Sequence, residues 1–302
     1  MNQHVAVVMG GWSSEREVSL VTGAAVAEAL NSLNYQVSEV DADRNLGSVL
    51  ADLQPDVIFN ALHGRWGEDG CVQGIFEVLG IPYTHSGVMA SAMAMDKTLA
   101  KQLFQQVDLP CAQHEVVSPA SLKDADPIAR PYVLKPVNEG SSVGVHIVHE
   151  GDNRPVLDDD GSGVDLMAEQ YIPGRELACG VMGDRALGVI ELQPIRGFYD
   201  YEAKYSDGIT NHILPAEIPQ SIYDAVQEMS VRAHQVLRCR GITRADFRYD
   251  DTQSDPGELY LLEVNTQPGM TPLSLVPEMA AHEGIDFPAL VGWMVEDASC
   301  PR

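Results

Sequence analysis

Glu263-Val264-Asn265-Thr266-Gln267-Pro268-Gly269-Met270-Thr271-Pro272-Leu273-Ser274-Leu275 follows the apolar run Leu259-Tyr260-Leu261-Leu262, which reads as a buried strand. Side chains alternate faces along a strand, so Glu263 and Asn265 point the same way, roughly 7 Å apart. Just upstream, Arg244-Ala245-Asp246-Phe247-Arg248-Tyr249 alternates polar and apolar residues. Joined as a hairpin with its loop near Thr252 to Gly257, the two strands would set Asp246 opposite or diagonal to Glu263. Two carboxylates on one face of an otherwise apolar hairpin repel each other without a cation. Asp, Glu and Asn oxygens suit Mg²⁺, which completes its shell with water and phosphate oxygens. A solvated strand face with chance acidic residues is the other reading, and the hairpin alone leaves it open.

With 302 residues, the chain has room for two or three packed units. Its 45% hydrophobic and 21% charged residues fit a globular protein. No apolar run approaches the ~20 residues of a membrane span, and Met1-Asn2-Gln3-His4 lacks the basic start of a signal peptide. Cysteines 71, 111, 179, 239 and 300 are odd in number and form no Cys-x-x-Cys pair. They fit structural thiols in a reducing compartment, so a cytoplasmic location without membrane association is expected. The formal charge of −25 argues against nucleic-acid binding. Lysines stand only at 97, 101, 123, 135 and 204, so a polyphosphate could bind only where such scarce cations converge.

Outward from the hairpin, the first third reads as an α/β unit with a parallel sheet: strands at His4–Met9, Gln36–Val40 and Val57–Asn60 alternate with helical stretches. A helix is expected from about Glu15 to Leu33, opened by a capping box at Ser14 and Glu17. The loop His63-Gly64-Arg65-Trp66-Gly67-Glu68-Asp69-Gly70 leaves the carboxyl end of the third strand, the usual ligand edge. Asp41 and Asp43 invite a dinucleotide reading, but Gly10-Gly11-Trp12-Ser13-Ser14 is not Gly-x-Gly-x-x-Gly. Met89 to Gln106 is helical in pattern, and after Leu109-Pro110 the chain turns β-rich at His114–Val117, Pro131–Lys135, Val145–Val148 and Leu166–Ile172. The small-residue loop from Lys135 to Gly144 is not a P-loop; its amides could cover phosphates, or it could be a mobile hairpin tip. Asp158-Asp159-Asp160-Gly161-Ser162-Gly163 lacks the spacing of a calcium loop and reads as a solvated turn. Strands at Leu177–Met182 and Leu187–Leu192 precede Phe198 to Pro215, an aperiodic stretch with Lys204 and Tyr205 that reads as a functional lid. Helices at Gln220–Leu237 and Phe287–Val295 flank the hairpin.

GGWSSEREVSL, LHGRWGEDG, YTHSGVMASAMAMDK, VLKPVNEGSSVG, YDYEAKY and LLEVNTQPGMTPLSLVP run in order through nearly the whole chain. On these stretches the sequence resembles the D-alanine–D-alanine ligases of the ATP-grasp superfamily. The resemblance implies an ATP-grasp fold of mixed α/β and α+β class: an N-terminal parallel α/β domain (1–94) and two α+β domains (95–179 and 180–302) clasping ATP. It implies that ATP and two D-alanines give D-alanyl-D-alanine, ADP and phosphate, with two Mg²⁺ ions (Mn²⁺ an acceptable substitute) and a homodimeric enzyme. Lys97, Lys135 and Lys204 look like the phosphate cations, and Ser141, Ser142 and Val143 like lid amides. Glu169 and Glu176 resemble the adenine-side and ribose contacts; Asp246, Glu263 and Asn265 look like the metal ligands. Glu15 resembles the holder of the first substrate's ammonium, with His63 on the substrate side, and Arg244 and the Gly269 amide face the oxyanion. Ser274 and the Leu275 amide look like the clamp for the second carboxylate, and Tyr205 closes the site with Ser141 and Glu15. The resemblance breaks at Gln170, where some members carry lysine, and at Gln267, where others carry serine. Competing expectations are another carboxylate–amine ligase of the superfamily, such as a D-alanine–D-lactate ligase, a catalytically dead nucleotide-binding module, and a nicotinamide-dependent oxidoreductase.

Overall fold

Apolar, β-branched runs build the first sheet: β1 (His4–Met9) lies between β2 (Gln36–Asp41) and β3 (Val57–Asn60), all parallel. β1 from Val5 onward and all of β3 are buried, as strands covered on both faces must be. The structure, a computed structural model, describes residues 3–123, 125–138, 140, 144–153, 165–194, 210–271 and 273–302. Helices α1 (Arg16–Ser32), α2 (Leu46–Leu53) and α3 (Cys71–Leu79) accompany this sheet, whereas α4 (Val88–Met95) buries Ala90 and Ala94 in a core with Phe104 and Val264.

Two helix starts differ from the sequence expectation. α1 opens at Arg16 with Glu15 as its N-cap residue and no side-chain cap, so the Ser14–Glu17 box does not form. Ser13 decides this: its hydroxyl donates to the His63 carbonyl at 2.7 Å and accepts the Glu15 amide at 3.2 Å, tying the turn to the neighbouring loop. The periodic stretch after Met89 is two helices. Asp96 is extended, ends α4, and accepts the amides of Thr98 and Leu99 to cap α5 (Lys97–Gln106). Lys97 thereby becomes the first residue of a helix.

The central sheet is antiparallel, in the order β4 (His114–Val117), β7 (Leu166–Gln170), β5 (Tyr132–Pro136), β6 (His146–Val148). A five-stranded antiparallel sheet follows: β10 (Thr210–Ile213), β9 (Arg185–Pro194), β8 (Arg175–Met182), β11 (Ile242–Asp250), β12 (Glu258–Asn265). β10 corrects the expected lid, because Thr210–Ile213 pairs with β9 although its own residues show no alternation. The expected boundary after residue 179 falls inside β8, whose eight residues stay in one sheet; the sheets divide the chain between β7 and β8.

α6 (Gln220–Val236) covers one face of the large sheet, packing Val226 and Ala233 with Leu177, Val189, Phe247 and Leu261. On the other face, α7 (Leu275–His282) and α8 (Phe287–Asp297) place Met279, Leu290 and Val295 in one core with Ile190 of β9 and with Val5, Val7 and Phe59 of the first sheet. The first and last parts of the chain therefore share a core, and the central sheet has its own around Tyr132, Leu134 and Ala168.

Candidate active site

The carboxylate hairpin forms with the expected pairing, Asp246 opposite Glu263 and Arg244 opposite Asn265. It does so because of a bulge. From the loop end, Asp250 faces Glu258 and Phe247 faces Leu261, so a straight ladder would set Leu262 against Asp246. One extra residue in β12 shifts the register, and Leu262 and Glu263 both line the adjoining cavity. The sequence pattern carries no mark of that insertion.

Each acid already has a cation from the chain. Arg244 holds Asp246 in a fork, Nε to Oδ1 at 2.7 Å and Nη2 to Oδ2 at 2.8 Å. Lys97 Nζ lies 3.4 Å from Glu263 Oε2, and the Glu263 side chain keeps 30% exposure. Asn265 Oδ1 accepts the Gln267 amide at 2.8 Å. Among the described residues no three His, Cys, Asp or Glu side chains cluster as a metal group. Asp246, Glu263 and Asn265 nonetheless offer an all-oxygen donor set on one strand pair, which fits Mg²⁺ or Mn²⁺.

A second charge cluster lies beneath. Glu169 of β7 sits between two lysines, 2.6 Å from Lys101 Nζ and 2.6 Å from Lys135 Nζ, with its side chain only 4% exposed. Burial opposes its charge, but Lys101 and Lys135 outweigh that and hold its pKa at about 2. Burial likewise opposes the charge of Lys135, and Glu169 and Glu263 overcome it, raising its pKa. Glu169, expected on the adenine side, lines the same cavity as Leu262 and Glu263, and its carboxylate is also a strut between two lysines. Lys101 was missed. It is fully buried on α5, one turn after Lys97 and beside Ala100 and Phe104, and that helical spacing among buried residues is the signal that marked it. Glu176 of β8 lies 3.6 Å from Arg248 and faces the same cavity.

On the opposite wall, Glu15 is buried at the head of α1. A Cβ on Gly64 would come within 2.7 Å of Glu15 Oε1, and Gly64 has φ +70°, so glycine serves there twice over. His63 is buried, with Nε2 3.0 Å from Thr22 Oγ1 and Nδ1 3.1 Å from Glu68 Oε1. After β12, Ser274 precedes α7, and its hydroxyl accepts the Thr271 amide at 2.9 Å. A Cβ on Gly269 would fall 2.8 Å from Ser274 Oγ, so any side chain there would displace the Ser274 hydroxyl. The Leu275 amide is in the first turn of α7, where helix N–H groups lack intrahelical partners and favour an anion.

These walls enclose two adjoining cavities. The smaller, about 100 Å³, is lined by Glu15, His63, Arg244, Gly269, Ser274 and Leu275 among others. The larger, about 550 Å³, lies between the two antiparallel sheets and meets Lys135, Glu169, Glu176, Asp246 and Leu262; ligand pockets commonly span about 300–1,000 Å³. Lys97, Gly140 and Glu263 line both, so they mark the junction. Ser141, Ser142, Val143, Lys204 and Tyr205 lie outside the described residues.

Residues 47–86 match a family model described as the D-ala D-ala ligase N-terminus, and residues 103–296 one described as the D-ala D-ala ligase C-terminus. The chain is 55% identical over 305 residues to a D-alanine–D-alanine ligase of Chelativorans sp. strain BNC1, covering 99% of each chain. It is 56% identical over 304 residues to one from Parvibaculum lavamentivorans, again covering 99% of each. The crystal structure of a Bacillus anthracis D-alanine–D-alanine ligase complexed with ATP is similar at TM-score 0.81 and 30% identity, over 98% of this chain and 97% of that one.

Proposed function

The chain belongs to the D-alanine–D-alanine ligase family, and from that premise we propose how its residues join two D-alanines at the expense of ATP. One observation carries the assignment of places: Lys97, Gly140 and Glu263 stand where an amino-acid-sized cavity opens into a nucleotide-sized one. ATP fills the larger cavity with its phosphates toward that junction, and both D-alanines occupy the smaller.

A carboxylate resists attack by an amine until one of its oxygens becomes a leaving group. ATP supplies this by phosphorylating the first D-alanine to an acyl phosphate, and the second amine then displaces phosphate. Lys97 and Lys135 face the phosphates, with Lys204 as a third cation by resemblance. Asp246, Glu263 and Asn265 would hold two Mg²⁺ ions, which neutralise the charge on the transferring group when bound. Glu15 takes the first substrate's ammonium, since a buried carboxylate beside Gly64 offers a compact anionic socket. Arg244 and the Gly269 amide point at the carbonyl oxygen, where charge develops only in the transition state. Ser274 and the Leu275 amide receive the second carboxylate at the start of α7. His63, held by Thr22 and Glu68, walls the substrate side in a fixed orientation. Ser141, Ser142, Val143 and Tyr205 complete the cover that excludes water from the acyl phosphate. Glu176 is assigned to the ribose.

A peptidoglycan stem terminus is the natural use of the product, made in the cytoplasm by a homodimer; the five free thiols fit a reducing compartment. The test is ADP release with D-alanine, L-alanine and D-lactate as acceptors. Turnover with D-alanine alone supports the assignment, and preference for D-lactate at neutral pH overturns it. Sedimentation at micromolar protein decides the dimer.

A further inference from the structure

We propose that Gln267 and Asn60 form a buried bridge that sets the width of the D-alanine cavity, making Gln267 a positioning residue for substrate binding. The proposal rests on the assignment of the smaller cavity to D-alanine. Asn60 ends the otherwise apolar β3 and is fully buried, and Gln267 keeps 1% exposure. Asn60 Nδ2 donates to Gln267 Oε1 at 2.7 Å and to the Gly67 carbonyl at 3.1 Å. Gln267 Nε2 donates in turn to the Leu62 carbonyl, and the Gln267 backbone amide donates to Asn265 Oδ1. Asn60 Oδ1 accepts the Leu62 amide at 3.3 Å. Two side-chain amides thus close a ring between residues 207 positions apart in sequence.

The placement of the two ends gives the bridge its consequence. One end fixes the segment from Asn60 to Gly67, which delivers His63 and abuts Glu68. The other fixes the turn that delivers Thr266, Gly269, Ser274 and Leu275. All of these except Asn60 and Gly67 line the smaller cavity, and of them none lines the larger. The bridge therefore spans the gap between the walls of one cavity only. Both amides are dry, so removing either side chain leaves a buried donor or acceptor without a partner and lets the walls separate. A side chain as short as serine would not do: Gln267 reaches both Leu62 and Asn60 from the loop through its terminal amide, and a serine hydroxyl would stop short of them.

The experiment is steady-state ADP release by the full-length enzyme, with each substrate varied in turn. Gln267→Met keeps the volume of the side chain and deletes its hydrogen bonds; Asn60→Ala cuts the bridge from the other side. Each should raise KM for D-alanine about tenfold while KM for ATP stays within about twofold, the loss of one buried hydrogen-bond pair. The double variant should be no worse than the worse single one, because both remove the same link. If Gln267→Met is insoluble, Gln267→Ser and Asn60→Ala carry the test. A merely structural role would lower the melting temperature and leave both KM values alone, and that result overturns the bridge, as does an equal rise in both. Wild-type enzyme that releases no ADP with D-alanine overturns the cavity assignment and the bridge together.

Discussion

Glu169 and Glu263 are both acids beside lysines in the lining of the larger cavity, yet they are held in opposite ways. Glu169 has two lysines at 2.6 Å, 4% exposure and a pKa held at about 2. Glu263 has Lys97 at 3.4 Å, 30% exposure and a second carboxylate, Asp246, directly across the hairpin. The first is a fixed strut whose cations come from the fold. The second stays partly exposed where the two cavities meet, so it has room to take another cation. Where both partners of a buried ion pair are closed in by packing, the pair sets geometry; where one face stays open, it is available for chemistry.

Removing each acid in turn is the sharpest way to break that contrast. Glu263→Gln is expected to lower turnover about a thousandfold, ~4 kcal/mol in barrier, since an amide is a poor ligand for a phosphate-bound cation. Its melting temperature without ligands should equal or exceed wild type, because repulsion with Asp246 is relieved. Near-normal turnover at ordinary Mg²⁺ would refute the metal assignment. Glu169→Gln should do the reverse. Two buried lysines lose their anion, so urea unfolding should show a loss of about 3 kcal/mol in stability; unchanged stability would mean the strut is idle. Lys97→Met comes next, with kcat/KM for ATP falling about thirtyfold, ~2 kcal/mol, and little change in melting. A large drop in melting would show Lys97 to be structural like Lys101.

The smallest effect is in acid. A carboxyl whose folded pKa is depressed contributes stability above its unfolded value, near 4.5, and loses it as pH falls toward about 2. The stability gap between wild type and Glu169→Gln should stay constant from pH 7 to 5 and close between 4.5 and 2. A gap that stays flat down to pH 2 would place the Glu169 carboxyl in the ordinary range.

The same contrast explains what could be read from the sequence. The parallel first sheet, the two strands of the carboxylate hairpin, and helix α6 followed from apolar periodicity, because burial imposes a period that residues must obey. Asp246 and Glu263 were legible as two acids on one face of an otherwise apolar hairpin. Glu169 was not legible as a strut, since its partners Lys101 and Lys135 come from a helix and a strand that only tertiary packing brings together. Ser13 displaced the expected Ser14 cap for the same reason: its hydroxyl answers to His63, 50 residues away. β10 escaped notice because its partner, not its own pattern, makes it a strand. Asn60 left a trace that went unread, a polar residue closing the apolar run Val57-Ile58-Phe59.

The core that joins Val5, Val7 and Phe59 to Met279, Leu290 and Val295 bears on how the protein is made. On the ribosome, the first three strands emerge long before α7 and α8, which cover part of their apolar surface. Until those helices appear, the N-terminal sheet keeps an open hydrophobic flank, and only contacts within its own half protect it. The central sheet, with its separate core, can close earlier. The order of synthesis and the order of completion therefore differ: the first sheet is made before the central one and closed after it.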